Sequence, residues 1–302
     1  MTTVDAQLRA AHENALVVPR PDLAVITVTG EDRASWLNGL VTCDVAKLER
    51  GAARYGLVVT QKGRIVTDLF VVCGKDALFV VVPARARDAI VATLEKYLVM
   101  EDAEMTKDES LRVWIAHGPK ASAIEGAAPC DVTGLGGAVI VARELDASAL
   151  TLGDRDGWEA LRLERGVPEF GIDFDDKTYP QEASLEKRAV SFDKGCYLGQ
   201  EVVCMLELRG HVKRKLVPFV AEASAAASIA RGSAVTDDAG GEVGSISSAI
   251  DSNGRAVGLA MIKLAHAGAG TKLHVGSAAI TIGDPSGSAA ASRSDPNRAA
   301  SP

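Results

Sequence analysis

A cysteine between two glycines, close to a lysine, is the residue whose setting most strongly suggests chemistry. Cys196 lies in the stretch DKGCYLGQE (193–201), two residues after Lys194. A lysine beside a thiol favours the thiolate, which is the nucleophilic and metal-binding form of cysteine. The flanking glycines would let a ligand or another backbone approach closely. The alternative is that Cys196 is a small buried hydrophobic residue, as most free cysteines are.

The sequence offers no second cysteine in a comparable setting. Its five cysteines include no CxxC pair, so we expect neither a disulfide framework nor a zinc site built from thiolates. A complete set of iron–sulfur ligands is not expected within this chain either. The other four cysteines have apolar or turn neighbours: Cys43, Cys73, Cys130 and Cys204.

Composition limits the classes of protein to which the chain can belong. It has 302 residues, 47% hydrophobic and 24% charged, which indicates a globular protein with a large core. Its net charge of −7 disfavours broad nucleic-acid binding, which depends on Lys and Arg to neutralise phosphates. Neither a signal peptide nor a membrane-spanning run is evident. We therefore expect a cytoplasmic protein with no nucleic-acid or membrane partner.

The secondary structure predicted around Cys196 changes near residue 217, from mixed helices and strands to strands alone. Before it, strand-like and helix-like segments are mixed, which predicts an α+β body over residues 1–217. From 218 to 283, short strands separated by Gly and Asp predict a small β-barrel or sandwich of about six strands. Residues 284–302 are mostly Ser, Ala, Pro and Gly, and we expect them to be disordered.

The cysteine lies in a segment that shows no strong periodicity. A helix is predicted over residues 157–166, with Gly166 as its stop, and no clear element follows as far as residue 217. Long irregular stretches inside compact domains are usually functional. The sequence therefore predicts that the functional residues are concentrated here.

Several motifs in this segment resemble one known family. KGCYLGQE is similar to the K-G-C-aromatic-x-G-Q-E signature of the YgfZ family, folate-binding proteins of the aminomethyltransferase (glycine-cleavage T-protein) superfamily. LRLERGVPEFGIDF resembles the superfamily's L-R-L-E-x-G-x-P-x-x-G-x-D, and RGHVKRKL its R-G-x-x-x-R. Pro180 and Glu182 fit its P-x-E-A segment. The resemblance covers about residues 20–283.

The resemblance implies a fold and a cofactor. The fold is a ring of two α+β lobes and a C-terminal β-barrel around a channel that binds tetrahydrofolate. In T-proteins a Glu of the L-R-L-E segment holds the pterin, and Glu164 occupies that position here. A carboxylate suits a pterin because it can accept both adjacent donors of the ring. The alternative is a surface glutamate that pairs with Arg162 or Arg165.

Further residues complete the expected folate site. Tyr55 is expected to line the pocket, and the basic cluster RGHVKRK (209–215) could attract the polyglutamate tail of folate or an acidic partner. That cluster would otherwise be a solvated face. The remaining expected cofactor-binding residues are Tyr197, Gln200 and Arg214.

T-proteins also carry a pair of acids where this chain has Thr67 and Asp68. Only one acid is kept. If the essential acid is the one at position 67, aminomethyl transfer of the usual kind is not expected; if it is Asp68, a carboxylate still faces the channel. Asp68 would be the acid–base group or would stabilise a cation at the reacting nitrogen of folate. The alternative is a strand-end acid that faces solvent.

Three functions follow from the resemblance. The first is a tetrahydrofolate-binding factor in the maturation or repair of iron–sulfur enzymes, in which Cys196 acts and Lys194 lowers its pKa. Its partners would be folate and iron–sulfur client enzymes or assembly proteins. The second is a folate-dependent aminomethyl- or methyltransferase that uses Asp68. The third is a folate-binding module without chemistry.

Overall fold

The computed structural model describes residues 3–210, 212–221, 229–252 and 255–283. The helices are α1 Val4–Glu13, α2 Arg33–Asn38, α3 Arg87–Leu94, α4 Arg155–Glu164, α5 Glu186–Ala189 and α6 Gln200–Arg209. The strands of the N-terminal body are β1 Leu16–Pro19, β2 Leu23–Thr29, β3 Ala53–Val59, β4 Ile65–Cys73, β5 Leu78–Pro83, β6 Glu104–Asp108, β7 Arg112–His117, β8 Ala127–Pro129, β9 Gly137–Ala142 and β10 Thr151–Leu152. The C-terminal strands are β11 Arg214–Ala221, β12 Ala234–Thr236, β13 Glu242–Ser252, β14 Arg255–Lys263, β15 Lys272–Val275 and β16 Ala278–Ile282.

Two five-stranded sheets form the body and confirm the α+β prediction. One has the order β10-β1-β7-β9-β8, and the other has the order β3-β4-β5-β2-β6. Because β1 and β2 follow each other in the chain but belong to different sheets, the two lobes are interleaved. One buried cluster contains Tyr55 and Phe70 from one sheet and Ile115 and Val139 from the other. The sheets therefore share a core.

The last six strands close into a barrel, in the order β11-β14-β13-β12-β15-β16. Strand β11 pairs with both β14 and β16, which closes the sheet and leaves no free edge. The barrel prediction is confirmed, although its first strand begins at Arg214 rather than at 218. The predicted disordered tail, 284–302, lies outside the described residues, as does His211 of the basic cluster.

Helix α4 connects the body to the barrel. Asp154 caps it by accepting a hydrogen bond from the Gly157 N–H at 2.9 Å. Beyond Glu164, Gly166 has a φ of +59°, the left-handed conformation that commonly follows a helix. The predicted helix stop is therefore confirmed. Leu163 packs with Leu216 and Leu259 of the barrel.

Helix α6 was not predicted. Only Val203 of its ten residues is buried, so the sequence lacks the apolar stripe that marks a packed helix. Two glycines in the left-handed conformation, Gly199 and Gly210, flank the helix. None of the helices in the described ranges is long and apolar enough to cross a membrane.

Candidate functional site

A cavity of about 850 Å³ lies among residues of both sheets, α4 and the segment 167–172. Its wall is largely apolar and includes the aromatic rings of Tyr55, Phe70, Trp158 and Phe170. Its volume falls within the range typical of small-molecule sites. Within the described part of the chain, the barrel contributes no residue to this wall. This cavity is thus formed by the two lobes and the segment around α4, without the barrel of the expected ring.

Asp68 and Tyr55 face this cavity together. Strands β3 and β4 form a hairpin in which Tyr55 is opposite Phe70 and Leu57 is opposite Asp68. Tyr55 and Asp68 are therefore diagonal neighbours on one face of the sheet. The Tyr55 hydroxyl donates to Asp68 Oδ2 at 2.9 Å.

The fold makes Asp68 a carboxyl that can change protonation state near neutral pH. Burial raises its pKa to about 6, although the hydrogen bond from Tyr55 and the nearby Arg20 act in the opposite direction. Burial and the Asp68 charge together raise the pKa of Tyr55 well above its ordinary value. Tyr55 therefore remains a hydrogen-bond donor. A carboxyl of this kind in a cavity is typical of functional sites.

A second carboxylate in the wall, Glu169, was not predicted from the sequence. Arg155 Nη1 donates to its Oε1 at 2.8 Å, and Trp158 Nε1 donates to its Oε2 at 3.2 Å. Burial would raise its pKa, but Arg155, Arg20 and Arg162 outweigh that effect and hold the pKa below its ordinary value. Glu169 is therefore an ionised group whose two oxygens are both engaged.

Positive side chains also line the cavity, and the sequence analysis did not single them out. Arg20 pairs with Asp22 through two hydrogen bonds, of 2.9 and 2.7 Å. Arg85 Nη2 donates to the Phe170 carbonyl at 2.9 Å. No motif marks these arginines, because they come from separate segments that only the fold brings together. The four in the wall are Arg20, Arg85, Arg155 and Arg188.

Glu164 is not among the residues of the cavity wall. It ends α4, and its Oε1 lies 2.7 Å from His12 Nε2 on the facing helix α1. Trp158 of the same helix does reach the cavity. Six residues separate the two, which places them about 120° apart around the helix. The expected pterin carboxylate thus pairs with His12, and neither Arg162 nor Arg165 is its partner.

Arg214 also lies outside the wall. It begins β11, and its Nε donates to Glu182 Oε1 at 3.3 Å. The neighbouring Lys215 pairs with Glu186 at 2.9 Å. Part of the basic cluster is therefore neutralised by acids of the body.

The Cys196 loop is held to the body through Lys194. Cys196 itself is exposed, whereas the ammonium of Lys194 is buried. Its Nζ donates to the carbonyls of Asn38, Val41 and Cys43, at 2.6, 2.8 and 2.8 Å. These bonds use all three donors of the ammonium group, and burial lowers the pKa of Lys194 to about 8. Lys194 therefore anchors the loop.

Tyr197 and Gln200 belong to the loop and its helix rather than to the cavity wall. Tyr197 is buried in the same core cluster as Tyr55 and Phe70, and Lys194 Nζ lies 5.2 Å from its ring centroid. The Gln200 N–H donates to the Tyr197 carbonyl at 3.1 Å, at the start of α6. The loop is therefore fixed to the core that surrounds the cavity, with the thiol on the outside.

No group of three His, Cys, Asp or Glu side chains within the described ranges could hold a metal ion. The structure brings Tyr55 and Asp68 together in the cavity. It keeps Lys194, Cys196 and Tyr197 on one loop, with Gln200 at the start of the adjoining helix. Glu164 and Arg214 lie apart from both groups.

Comparisons with known proteins agree with this architecture. Residues 1–130 match the GCVT N-terminal domain, and residues 213–288 match the CAF17 C-terminal β-barrel domain. The glycine cleavage aminomethyltransferase T of Bartonella henselae superimposes with a TM-score of 0.76 over 93% of this chain and 89% of its own. At 19% identity, that likeness concerns the fold.

Two relatives carry the name tRNA-modifying protein YgfZ. The one from Sodalis glossinidius (strain morsitans) is 27% identical over 247 residues, which are 72% of this chain and 75% of the relative. The one from Vibrio vulnificus (strain CMCP6) is 27% identical over 216 residues, which are 65% of this chain and 67% of the relative. The two matched domains, these relatives and the shared fold show that the chain is similar to YgfZ proteins and has the fold of the glycine cleavage T protein.

Proposed function

We propose that this protein binds tetrahydrofolate in the cavity and acts through the Cys196 thiol in the maturation or repair of iron–sulfur enzymes. The observation that carries the proposal is the position of Cys196. Its thiol is exposed, but its loop is anchored by Lys194 and by Tyr197, which lies in the core around the cavity. Ligand binding and thiol chemistry would therefore share one rigid support.

The residues of the cavity suit tetrahydrofolate. A pterin presents two adjacent donors, which one ionised carboxylate can accept. Asp68 is better placed for this than Glu169, because both Glu169 oxygens already accept hydrogen bonds from Arg155 and Trp158. The aromatic wall suits the flat rings of the ligand. Arg85 and Arg188 could pair with its glutamate carboxylates.

The iron–sulfur role rests on one exposed thiol. Because no three-ligand metal group exists in the described ranges, a cluster would need ligands from a partner protein or a small thiol. The relatives' name points to tRNA modification, while the net charge of −7 disfavours direct binding of tRNA. A protein that keeps a tRNA-modifying iron–sulfur enzyme active would fit both facts. We therefore include tRNA modification as a readout.

The test is rescue of cells that lack the protein. Wild type, Cys196→Ala and Cys204→Ala are compared for iron–sulfur enzyme activity and for tRNA modification. Cys204 is a half-buried cysteine on the adjoining helix and serves as the control. We expect rescue by wild type and Cys204→Ala but not by Cys196→Ala. Equal rescue by all three would mean that the Cys196 thiol has no such role.

A second candidate is folate-dependent transfer of a one-carbon group, and the pKa of Asp68 favours it. A carboxyl with a pKa of about 6 in a cavity can act as a general acid or base. Purified protein would then transfer an aminomethyl or methyl group to tetrahydrofolate. Asp68→Asn would abolish that transfer, and Cys196→Ala would leave it intact. Tetrahydrofolate binding without either activity would instead indicate a binding module.

A further inference from the structure

A buried carboxylate at the junction of the body and the barrel receives donors from both. Asp173 follows the cavity segment, and its side chain is fully buried. Its Oδ1 lies 2.8 Å from Ser247 Oγ and 2.6 Å from Ser248 Oγ, both in the barrel. Its Oδ2 accepts from Arg162 Nη1 at 2.7 Å and from the Glu169 N–H at 3.0 Å. Both oxygens of Asp173 are therefore engaged.

A β-bulge lets two consecutive serines reach this one carboxylate. In a regular strand, neighbouring side chains point to opposite faces. Strand β13 pairs Ile246 with Ala260 and then Ser248 with Leu259, which leaves Ser247 as an extra residue. Bulges of this kind re-aim side chains and are often found beside functional sites. Here the bulge brings both hydroxyls within hydrogen-bond distance of Asp173, and the Ser247 hydroxyl also lies 3.0 Å from the Leu259 carbonyl oxygen.

The contacts continue from Asp173 into the cavity wall. Arg162 is fully buried, and its Nε lies 3.4 Å from Glu169 Oε2. Glu169 in turn accepts the hydrogen bond of the Trp158 indole, and both residues line the cavity. Asp173 also holds the backbone of Glu169 directly through its N–H. The barrel is thus connected to Glu169 and Trp158 of the cavity wall. Within the described ranges, no barrel residue lines that wall itself.

We propose that Ser247 and Ser248 are positioning residues for the cavity. Through Asp173 and Arg162 they fix Glu169 and Trp158 in the arrangement that meets the bound ligand. Removing both hydroxyls leaves Oδ1 of the buried Asp173 without donors, and removing that of Ser247 leaves Oδ1 with the Ser248 hydroxyl alone. Asp173 and Arg162 shift in response, further in the double variant. The ligand part of this proposal rests on the proposed binding of tetrahydrofolate, whereas the positioning of Trp158 does not.

The experiment compares Ser247→Ala and Ser247→Ala/Ser248→Ala with Ser245→Ala, an exposed serine of the same strand. The indole N–H resonance of Trp158, assigned with Trp158→Phe, reports its hydrogen bond to Glu169. We expect this resonance to move in both bulge variants and to stay in place in Ser245→Ala. Tetrahydrofolate titration should show binding weakened by about 2- to 30-fold in the bulge variants.

The possible outcomes separate the two proposals. A Trp158 resonance that stays in place in Ser247→Ala/Ser248→Ala would overturn the positioning role, and so would unchanged tetrahydrofolate affinity in that variant. If the double variant does not fold, Ser247→Ala decides, because it keeps the buried Ser248 hydroxyl. Wild-type protein that fails to bind tetrahydrofolate would contradict the proposed function, while the resonance would still test the positioning of Trp158.

Discussion

At the scale of single residues, the burial of Asp68 makes stability depend on pH. Its pKa rises from about 3.8 to about 6 on folding. The folded protein therefore holds this proton more tightly than the unfolded chain does. The ionised carboxylate opposes folding above pH 3.8, and the penalty grows until about pH 6. Asp68→Asn should raise the free energy of unfolding by about 1–3 kcal/mol at pH 8 and leave it unchanged at pH 3.5.

Denaturant titrations at the two pH values, without ligand, measure this difference. Asp76→Asn is the control, because Asp76 is an exposed aspartate in the turn after the same strand. It should change stability little at either pH. If Asp68→Asn destabilises the protein at pH 8, the carboxylate is better stabilised by its surroundings than its burial implies.

The ionisation of Asp68 should also govern ligand binding. Ionisation lowers the stability of the protein but should strengthen the binding of tetrahydrofolate. An ionised Asp68 accepts the donors of a pterin, whereas a protonated Asp68 presents a donor of its own. Tetrahydrofolate affinity should therefore fall as the pH decreases through about 6. Asp68→Asn should bind about 10- to 100-fold more weakly at pH 8, because a charge-assisted hydrogen bond is lost, and with little dependence on pH. Affinity that is the same at pH 5 and pH 8 in wild type would exclude Asp68 as the pterin carboxylate.

A variant of Lys194 can distinguish two roles of this residue, which are anchoring the Cys196 loop and activating the Cys196 thiol. Lys194→Met removes three hydrogen bonds, which the carbonyls of Asn38, Val41 and Cys43 accept. We expect the free energy of unfolding to fall by at least about 2 kcal/mol, whereas Lys187→Met, at an exposed position of α5, should have little effect. Alkylation of Cys196 measures the second property. Slower alkylation in a variant of unchanged stability would show that Lys194 activates the thiol instead.

At the scale of elements, the two glycines at the ends of α6 differ in how much space surrounds them. Both have positive φ, of +79° for Gly199 and +62° for Gly210. A Cβ on Gly199 would lie 2.3 Å from the Thr60 carbonyl oxygen, but nothing lies within 4 Å of one on Gly210. Gly210→Ala should therefore cost only the conformational penalty of about 1–2 kcal/mol. Gly199→Ala should cost more and should speed hydrogen exchange in α6. Equal losses of stability in the two variants would mean that the contact with Thr60 is easily relieved.

Elements could be predicted where their packing leaves a pattern in the sequence. The hairpin of β3 and β4 has strands rich in β-branched residues and a short turn, so both strands could be recognised from the sequence. Helix α6 buries one residue and carries no such pattern. The exposed helix was therefore missed, although Gly210 was available as a stop signal.

At the scale of the whole molecule, predictability of the site depends on how far apart its partners lie in the chain. Tyr55 and Asp68 meet through a local hairpin, which the resemblance and the strand pattern could place. The partners of Lys194 are backbone carbonyls more than 150 residues away, and no sequence pattern marks a carbonyl. Whether Glu164 reaches the cavity depends on the rotation of α4 against both lobes, whereas Glu169 lies beyond the helix, in the segment that follows it. Periodicity does not give that rotation.

The link between body and barrel can be tested at Arg162. Its side chain is fully buried among Glu159, Glu169 and Asp173. Arg162→Met would leave these acids without their shared cation, and breaking a buried ion pair in this way costs about 3–5 kcal/mol. Arg165→Met is the matched control, because Arg165 follows the same helix and donates to the Thr133 carbonyl of the body. Calorimetry should show a large loss of stability for Arg162→Met and a small one for Arg165→Met. If the losses were equal, the buried network would not hold the barrel, and the coupling of Ser247 and Ser248 to the cavity would lose its physical basis.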